Sequence, residues 1–304
     1  MTRADVTGPE ATAPIRPTIG VPMIGVFDSG FGGLTVLRAL IQRFPRARFA
    51  FLGDTARLPY GSKSRRTIAR YAAQSAQFLV REQGAEFLVI ACNTASALAL
   101  EPIQEAVQDA VPAVPVLGVI EPGATAARAA SQTGDVLVIA TDATVQSHAY
   151  AAACHAQGLR ALEKACPLLV PLVEEGWTSH PVTEQVIRIY LEELTAEAAA
   201  QGLNPDTLVL GCTHYPLLRP LIERVLAGSA RPGIRVIDSA ESTADAALGL
   251  FNRSAGERTA SSVAAEEQTE VRCFATDSVE KFERLGSRFL ERPVGSVQLV
   301  DLGG

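Results

Sequence analysis

The sequence predicts an α/β protein with two pseudo-symmetric domains, each built on a mostly parallel β-sheet flanked by helices. Three observations support this prediction. Apolar runs alternate along the chain with stretches of helical period, which is typical of parallel strands joined by helices. The chain of 304 residues exceeds the size at which a single hydrophobic core usually stops growing. A strand-like run that ends in a cysteine occurs twice, which favours two related halves.

Each predicted strand is a short apolar run bounded by polar residues, as expected for a strand buried on both faces. The predicted strands are Met23 to Phe27, Arg48 to Leu52, Phe87 to Ala91, Val114 to Val119, Val136 to Ala140, Leu208 to Gly211 and Arg235 to Ile237. Between them, apolar residues recur at helical spacing. The predicted helices are Leu34 to Phe44, Ser64 to Gln83, Ala95 to Val111, Thr183 to Gln201 and Leu217 to Leu226.

A second series of strands follows Pro112 and Pro115, which punctuate the end of a helical stretch. We therefore expect the chain to cross into a second domain near residue 117 and to return near residue 228. The first domain then comprises residues 21–116 and 228–304, and the second comprises residues 117–227.

Two polar segments lie outside this pattern. Residues 1–20 contain scattered prolines and mixed charges without a continuous apolar run, so we expect a flexible N-terminal tail rather than a signal peptide. Residues 252–269 are rich in Ala, Ser, Thr and Glu, which predicts a flexible excursion.

Composition argues against several classes of function. The net charge of −6 argues against a nucleic-acid-binding surface, because such binding depends on cations that neutralise phosphates. No apolar stretch approaches the roughly 20 residues of a membrane span, so we expect a soluble protein. The five cysteines are widely spaced and form no C-x-x-C pair, which is typical of a reducing cytoplasm and unlike a zinc site. We therefore expect a cytoplasmic protein with no metal site.

Two cysteines are the main candidates for chemistry, because Cys92 and Cys212 each follow a predicted strand and ligands bind at the carboxyl ends of parallel strands. A thiol on each face of a carbon acid can remove a proton from one face and supply a proton to the other. His214 and Asp28 are candidates to handle these protons. Two alternatives stay open: both cysteines are simply buried apolar residues, or they hold a metal together with His214.

Two loops after strands are candidate ligand contacts. The glycine-rich loop from Asp28 to Gly33 opens a helix, so its backbone N–H groups and Ser29 suit a carboxylate or a phosphate. It matches neither the dinucleotide fingerprint nor the P-loop pattern. The loop from Gly53 to Ser62 supplies Asp54, Tyr60 and Gly61. The alternative is that both loops only shape turns.

Taken together, six motifs resemble the glutamate racemases of the aspartate/glutamate racemase superfamily. They are Ile24 to Gly33, Gly53 to Arg57 with Pro59 to Gly61, Ala91 to Ala95, Gly118 to Pro122, Cys166 to Glu174, and Gly211 to Pro216. The resemblance implies an active site in the cleft between the domains. It also implies a cofactor-independent, two-base interconversion of L- and D-glutamate, whose D-isomer feeds peptidoglycan synthesis.

The resemblance implies roles for individual residues. Cys92 would take the Cα proton from D-glutamate and Cys212 from L-glutamate, with Asp28 and His214 assisting their respective thiols. Substrate contacts are expected from Asp28, Ser29, Tyr60, Gly61, Asn93, Thr94, Thr213 and His214. Further polar candidates with less weight are Asp54, Glu174, Thr141 and Thr144.

We therefore expect a small-molecule substrate, no cofactor and, as a family-level expectation, a homodimer. The three lysines do not follow the cysteine strands, which argues against a pyridoxal Schiff base. Three alternatives stay open: another racemase or isomerase of the superfamily acting on aspartate, a non-catalytic glutamate-binding protein, and a thiol redox protein. The absence of a C-x-x-C motif counts against the last of these.

Overall fold

Two parallel β-sheets organise the chain. The computed structural model describes residues 22–110, 113–229, 233–255 and 269–303. The first sheet contains β1 (Met23–Asp28), β2 (Arg48–Gly53), β3 (Phe87–Ile90), β4 (Val116–Gly118), β9 (Glu270–Ala275) and β10 (Val297–Leu299). The second sheet contains β5 (Asp135–Ala140), β6 (Arg160–Ala165), β7 (Thr207–Gly211) and β8 (Arg235–Asp238).

Helices connect the strands of both sheets. They are α1 (Leu34–Arg43), α2 (Arg65–Gln77), α3 (Asn93–Val107), α4 (Ile120–Ala130), α5 (Asp142–Ser147), α6 (Ala149–Ala156), α7 (Leu169–Glu174), α8 (Pro181–Ala200), α9 (Arg219–Ala227), α10 (Ala240–Ala255) and α11 (Val279–Leu290). Local sequence fixes several of their ends: the Ser64 side chain caps α2, and Pro181 begins α8. Within the described residues, no helix combines the length and apolar character needed to cross a membrane.

The two sheets share one topology. The first has the strand order β10-β9-β2-β1-β3-β4 and the second β6-β5-β7-β8, so the second repeats the inner order β2-β1-β3-β4. All of these pairings are parallel. Cys92 follows β3 and Cys212 follows β7, which are equivalent strands. The predicted α/β fold with two pseudo-symmetric halves is therefore confirmed.

The expected crossings near residues 117 and 228 stay predictions, which the sheet membership of two strands refines. β4 pairs with β3, so the first sheet includes residues up to Gly118. β8 pairs with β7, so the second sheet includes Arg235–Asp238, and we place the return to the first domain after Asp238. The internal repeat explains this position of β8, because β8 forms an edge of the second sheet just as β4 forms an edge of the first. Residues 1–20 and 256–268, where flexible segments are expected, lie outside the described residues, whereas residues 252–255 end α10.

The sequence does not indicate β6, β9 or β10, because none of them is a continuous apolar run. β6 is a half-exposed edge strand that carries Arg160, Glu163 and Lys164. β9 carries charged residues in its exposed half, and β10 has only three residues. Tertiary pairing rather than local pattern therefore makes these segments strands.

Candidate active site

One small cavity brings most of the predicted site residues together from both domains. Its volume is about 40 Å³. The predicted residues that line it are Ser29, Tyr60, Gly61, Cys92, Asn93, Thr94, Thr141, Glu174, Cys212, Thr213 and His214. The lining also includes Gly30, Leu58, Pro59 and Val170, which lie within the predicted loops and motifs but are not among the predicted site residues. The predicted residues Asp28, Asp54 and Thr144 are fully buried beside the cavity but do not line it.

Cys92 lies at the start of α3, where its sulfur caps the helix. Its Sγ accepts a hydrogen bond from Ala95 N at 3.4 Å, and the thiol donates to Ser29 Oγ at 3.4 Å. Burial and the negative charge of Asp28 raise the pKa of the Cys92 thiol to about 12, although the Ser29 hydrogen bond opposes this. Cys92 is therefore held as a protonated thiol at neutral pH, which suits a proton donor.

Asp28 ends β1 and acts on this thiol through its charge. Its Oδ2 accepts a hydrogen bond from Gly30 N at 3.0 Å. Burial raises the pKa of the Asp28 carboxyl, while the charge of His214 and backbone N–H groups lower it. Asp28 Oδ1 is buried without a hydrogen-bond partner among the described residues, and the contact of Asp28 with the substrate stays a prediction.

On the opposite side of the cavity, His214 lies next to Cys212 and Glu174. His214 Nε2 is 3.4 Å from Glu174 Oε1. Burial lowers the pKa of His214, but hydrogen bonding and charge interaction with Cys212 and Glu174 outweigh it and raise that pKa to about 10. His214 is thus a cation at neutral pH. A positive charge beside a cysteine is the environment in which reactive thiolates occur.

Glu174 has a second partner that the sequence does not indicate. Its Oε2 accepts a hydrogen bond from Lys281 Nζ at 3.1 Å. Burial raises the pKa of the Glu174 carboxyl, but the combined effect of His214 and Lys281 is larger and lowers it, so the net shift is downward. Phe31 and Phe289 complete the wall around His214, with ring centroids 6.0 and 5.3 Å from its imidazole. No motif marks Lys281 or Phe289, because both lie far along the chain from the cysteine strands.

Hydroxyl groups from the two domains meet at the cavity. Thr94 lies 3.0 Å from Thr141 and 3.2 Å from Thr144 between Oγ1 atoms, and the latter two are 3.0 Å apart. Asn93 Oδ1 accepts a hydrogen bond from Tyr150 Oη at 2.7 Å. This bond leaves the amide nitrogen of Asn93 available as a donor. The sequence does not indicate Tyr150, which lies in α6 outside the resembling motifs.

Asp54 organises the loop that carries Tyr60. Its carboxylate accepts hydrogen bonds from Tyr60 Oη at 2.5 Å, Arg57 Nε at 2.8 Å and Thr276 Oγ1 at 2.9 Å. These partners occupy a carboxylate that is fully buried. Asp54 therefore fixes the shape of the loop that carries Tyr60.

The glycine-rich loop approaches the second domain closely at Gly32. A Cβ atom there would lie 2.7 Å from His214 Nδ1, well inside van der Waals contact. The absence of a side chain at this position allows the first loop and the His214 loop to enclose the same cavity.

The remaining alternatives can be compared with this geometry. Within the described residues, no group of three His, Cys, Asp or Glu side chains is arranged to hold a metal ion. All five cysteines are free and buried. The buried-residue alternative fits Cys154, Cys166 and Cys273, which do not line the cavity, whereas Cys92 and Cys212 line it from opposite domains.

Comparison with known proteins decides the family. The family model described as Asp/Glu/Hydantoin racemase matches residues 24–247. The chain belongs to this family. The glutamate racemase of Koribacter versatilis is 52% identical over 299 residues, covering 93% of this chain and 98% of the relative. That of Syntrophus aciditrophicus is 45% identical, covering 92% of this chain and 96% of the relative.

Solved structures agree with this membership. The glutamate racemase of Francisella tularensis in complex with D-glutamate has a TM-score of 0.77 at 34% identity, covering 93% of this chain and 98% of that one. The RacE1 isoform of Bacillus anthracis glutamate racemase has a TM-score of 0.79 at 36% identity, covering 92% and 98% respectively. The resemblance found in the motifs is thereby confirmed over nearly the whole chain.

Proposed function

We propose that this chain racemises L- and D-glutamate without a cofactor by a two-base mechanism, and that its D-glutamate supplies peptidoglycan synthesis. The observation that carries the proposal is the cavity itself, which Cys92 and Cys212 line from equivalent strands of opposite domains. Membership of a family whose similar relatives are named glutamate racemases supports the choice of substrate.

In the proposed mechanism, the two thiols divide each proton transfer between them. In the L-to-D direction, the Cys212 thiolate removes the Cα proton and becomes a thiol. The electron pair is held on Cα and the adjacent carboxylate, and the Cys92 thiol then supplies a proton to the opposite face. In the D-to-L direction the two cysteines exchange roles. The raised pKa of the buried Cys92 thiol beside Asp28 supports Cys92 as the acid in the L-to-D direction.

Polar groups around the cavity stabilise the charge that develops during proton transfer. Negative charge increases on the α-carboxylate in the carbanion-like transition state, so pre-aligned donors bind that state more strongly than the substrate. The donors that face the cavity are Ser29, Asn93, Thr94, Thr141 and Thr213. Because their positions are set by the fold, they need little rearrangement when the charge appears.

The test is to incubate the purified chain with L-glutamate in deuterated water without added cofactor, and to follow optical rotation and Cα deuteration together. We expect inversion with solvent deuterium at Cα. L-aspartate and maleate are run in parallel, because activity on these alone assigns a different member of the superfamily. Binding of glutamate with neither inversion nor exchange would instead support a glutamate-binding protein.

We also propose a cytoplasmic homodimer. The five free cysteines and the supply of a cell-wall precursor support a reducing cytoplasm. Exposed apolar side chains near α7 and α8 support a surface for self-association. These side chains are Leu168, Trp177, Val182 and Ile189. Sedimentation velocity should give a dimer that Trp177→Ser weakens. A monomer at all concentrations would reject this assembly.

A further inference from the structure

Helix α11 reaches from the first domain to the Cys212 side of the cavity. It connects β9 and β10 of the first sheet, whereas α7 follows β6 of the second sheet. Lys281 Nζ donates a hydrogen bond to Glu174 Oε2 at 3.1 Å, and Glu174 Oε1 lies 3.4 Å from His214 Nε2. A line of three charged groups therefore runs from one domain to the imidazole beside Cys212 in the other.

Other side chains of α11 strengthen this contact between domains. The Phe289 ring stands edge-on to His214, with an interplanar angle of 73°. Lys281 Nζ also lies 5.7 Å from the centroid of Phe31. Near the end of α7, a Cβ on Gly176 would lie 2.5 Å from Arg288 Nη1, so a second cation of α11 approaches the same end. The helix thus packs on His214 and presents Lys281 to Glu174, while Arg288 lies near Gly176.

The cavity beside this contact is small. Its volume of about 40 Å³ holds only a few water molecules, since one water needs roughly 10–15 Å³ of cavity space. We infer that the domains open to admit glutamate, and that the contact between Lys281 and Glu174, which joins them, is made when they are closed.

We propose that Lys281 is a positioning residue for the Cys212 half-reaction, because it holds Glu174 against His214 when the domains are closed. The inference rests on the proposed racemase function and adds a coupling between domain closure and the readiness of one thiol. Lys281 does not line the cavity, so it acts through Glu174 and not on the substrate. Its side chain is 39% exposed, so solvent screening keeps the expected effect moderate.

The sign of the pH effect follows from the groups around Glu174. His214 and Lys281 face its carboxylate, Arg288 lies beside nearby Gly176, and Cys212 and Asp28 interact with His214. The hydrogen bond and charge of Lys281 lower the pKa of Glu174, so their removal raises it. Because the ionised carboxylate is the form that orients His214, activity should then be lost at a higher pH on the acidic side.

The test compares Lys281→Met, Lys281→Arg and the matched control Arg284→Met, which removes an exposed cation about one turn further along α11. We expect Lys281→Met to lower kcat about 3- to 10-fold with KM nearly unchanged, and to move the acidic limb of the pH profile upward. Lys281→Arg should restore most of the activity, because guanidinium also binds carboxylate. Arg284→Met should match the unmodified chain.

The primary isotope effect separates positioning from a general structural role. If Lys281 serves the Cys212 step, Lys281→Met should raise the isotope effect with Cα-deuterated L-glutamate but not with the D-isomer. An equal rise for both enantiomers, or no change in kcat and isotope effect, would overturn the inference while the racemase function stands. An unmodified chain that does not racemise glutamate would overturn both. If Lys281→Met does not fold by circular dichroism, Lys281→Gln takes its place.

Discussion

The charge on His214 depends on Glu174, and Glu174→Gln tests this dependence directly. The substitution keeps the shape of the side chain and removes its negative charge. We expect the pKa of His214 to fall, because Glu174 and Cys212 are the groups that raise it against the effect of burial. His214 would then lose its proton closer to neutral pH, and the positive charge beside Cys212 would be lost with it.

The structure sets the size of this change. The pKa of His214 is raised from 6.5 to about 10, which corresponds to about 5 kcal/mol between the two protonation states. Two neighbours share this effect, so removal of one charge should lower the pKa by about one to two pH units. Protonated His214 stabilises the fold fully below pH 6.5, and this contribution is lost as pH rises through about 10. The stability difference between Glu174→Gln and the unmodified chain should shrink over that window.

Histidine NMR provides the assay. The chain has four histidines, so ring signals can be assigned by single substitutions and followed from pH 5 to 11. In the unmodified chain the His214 ring should stay protonated through neutral pH. In Glu174→Gln it should lose its proton at a lower pH, while the curves of the other three histidines are the same in both proteins. A titration of His214 near pH 6.5 in the unmodified chain, or one that is the same in the variant, would show that Glu174 does not hold the charge on His214.

Two further substitutions test contacts that close the cavity. Gly32→Ala should reduce kcat/KM at least about tenfold, because the added Cβ would lie 2.7 Å from His214 Nδ1. The control Gly233→Ala should keep the kcat/KM of the unmodified chain, because its added Cβ meets no atom within 4 Å. Equal kcat/KM values for the two variants would count against the close approach at Gly32. Tyr150→Phe should lower kcat/KM about tenfold, because the buried Oδ1 of Asn93 loses its donor. An unchanged kcat/KM would show that this bond does not orient Asn93.

The parts of the fold that the sequence predicts are those with a strong local signal. Buried strands such as β1, β3 and β7 are apolar runs, and their parallel arrangement follows from the helices between them. The strand β6 lacks that signal because it lies at a sheet edge, and α11 is separated from every recognised motif. The membership of β8 in the second sheet follows from the repeat, since a second half built like the first needs a counterpart to β4.

The candidate site shows the same division. Residues directly after strands, such as Cys92, Thr94 and Cys212, are predictable because parallel strands place their carboxyl ends at one edge. Asp28 and Asp54 are in the predicted loops, but only three-dimensional packing reveals that both are fully buried and do not line the cavity. Lys281 and Tyr150 act through partners more than fifty residues away, so no local pattern could indicate them.

The most direct test of the two-thiol mechanism is the racemisation rate of Cys92→Ala and Cys212→Ala, measured in both directions with Cys273→Ala as a buried-cysteine control. Each enantiomer needs one thiol as base and the other as acid, so we expect both site variants to lose racemisation while they remain folded. The control should keep its activity, because Cys273 lies in β9 and does not line the cavity. Substantial racemisation by either site variant would contradict the mechanism.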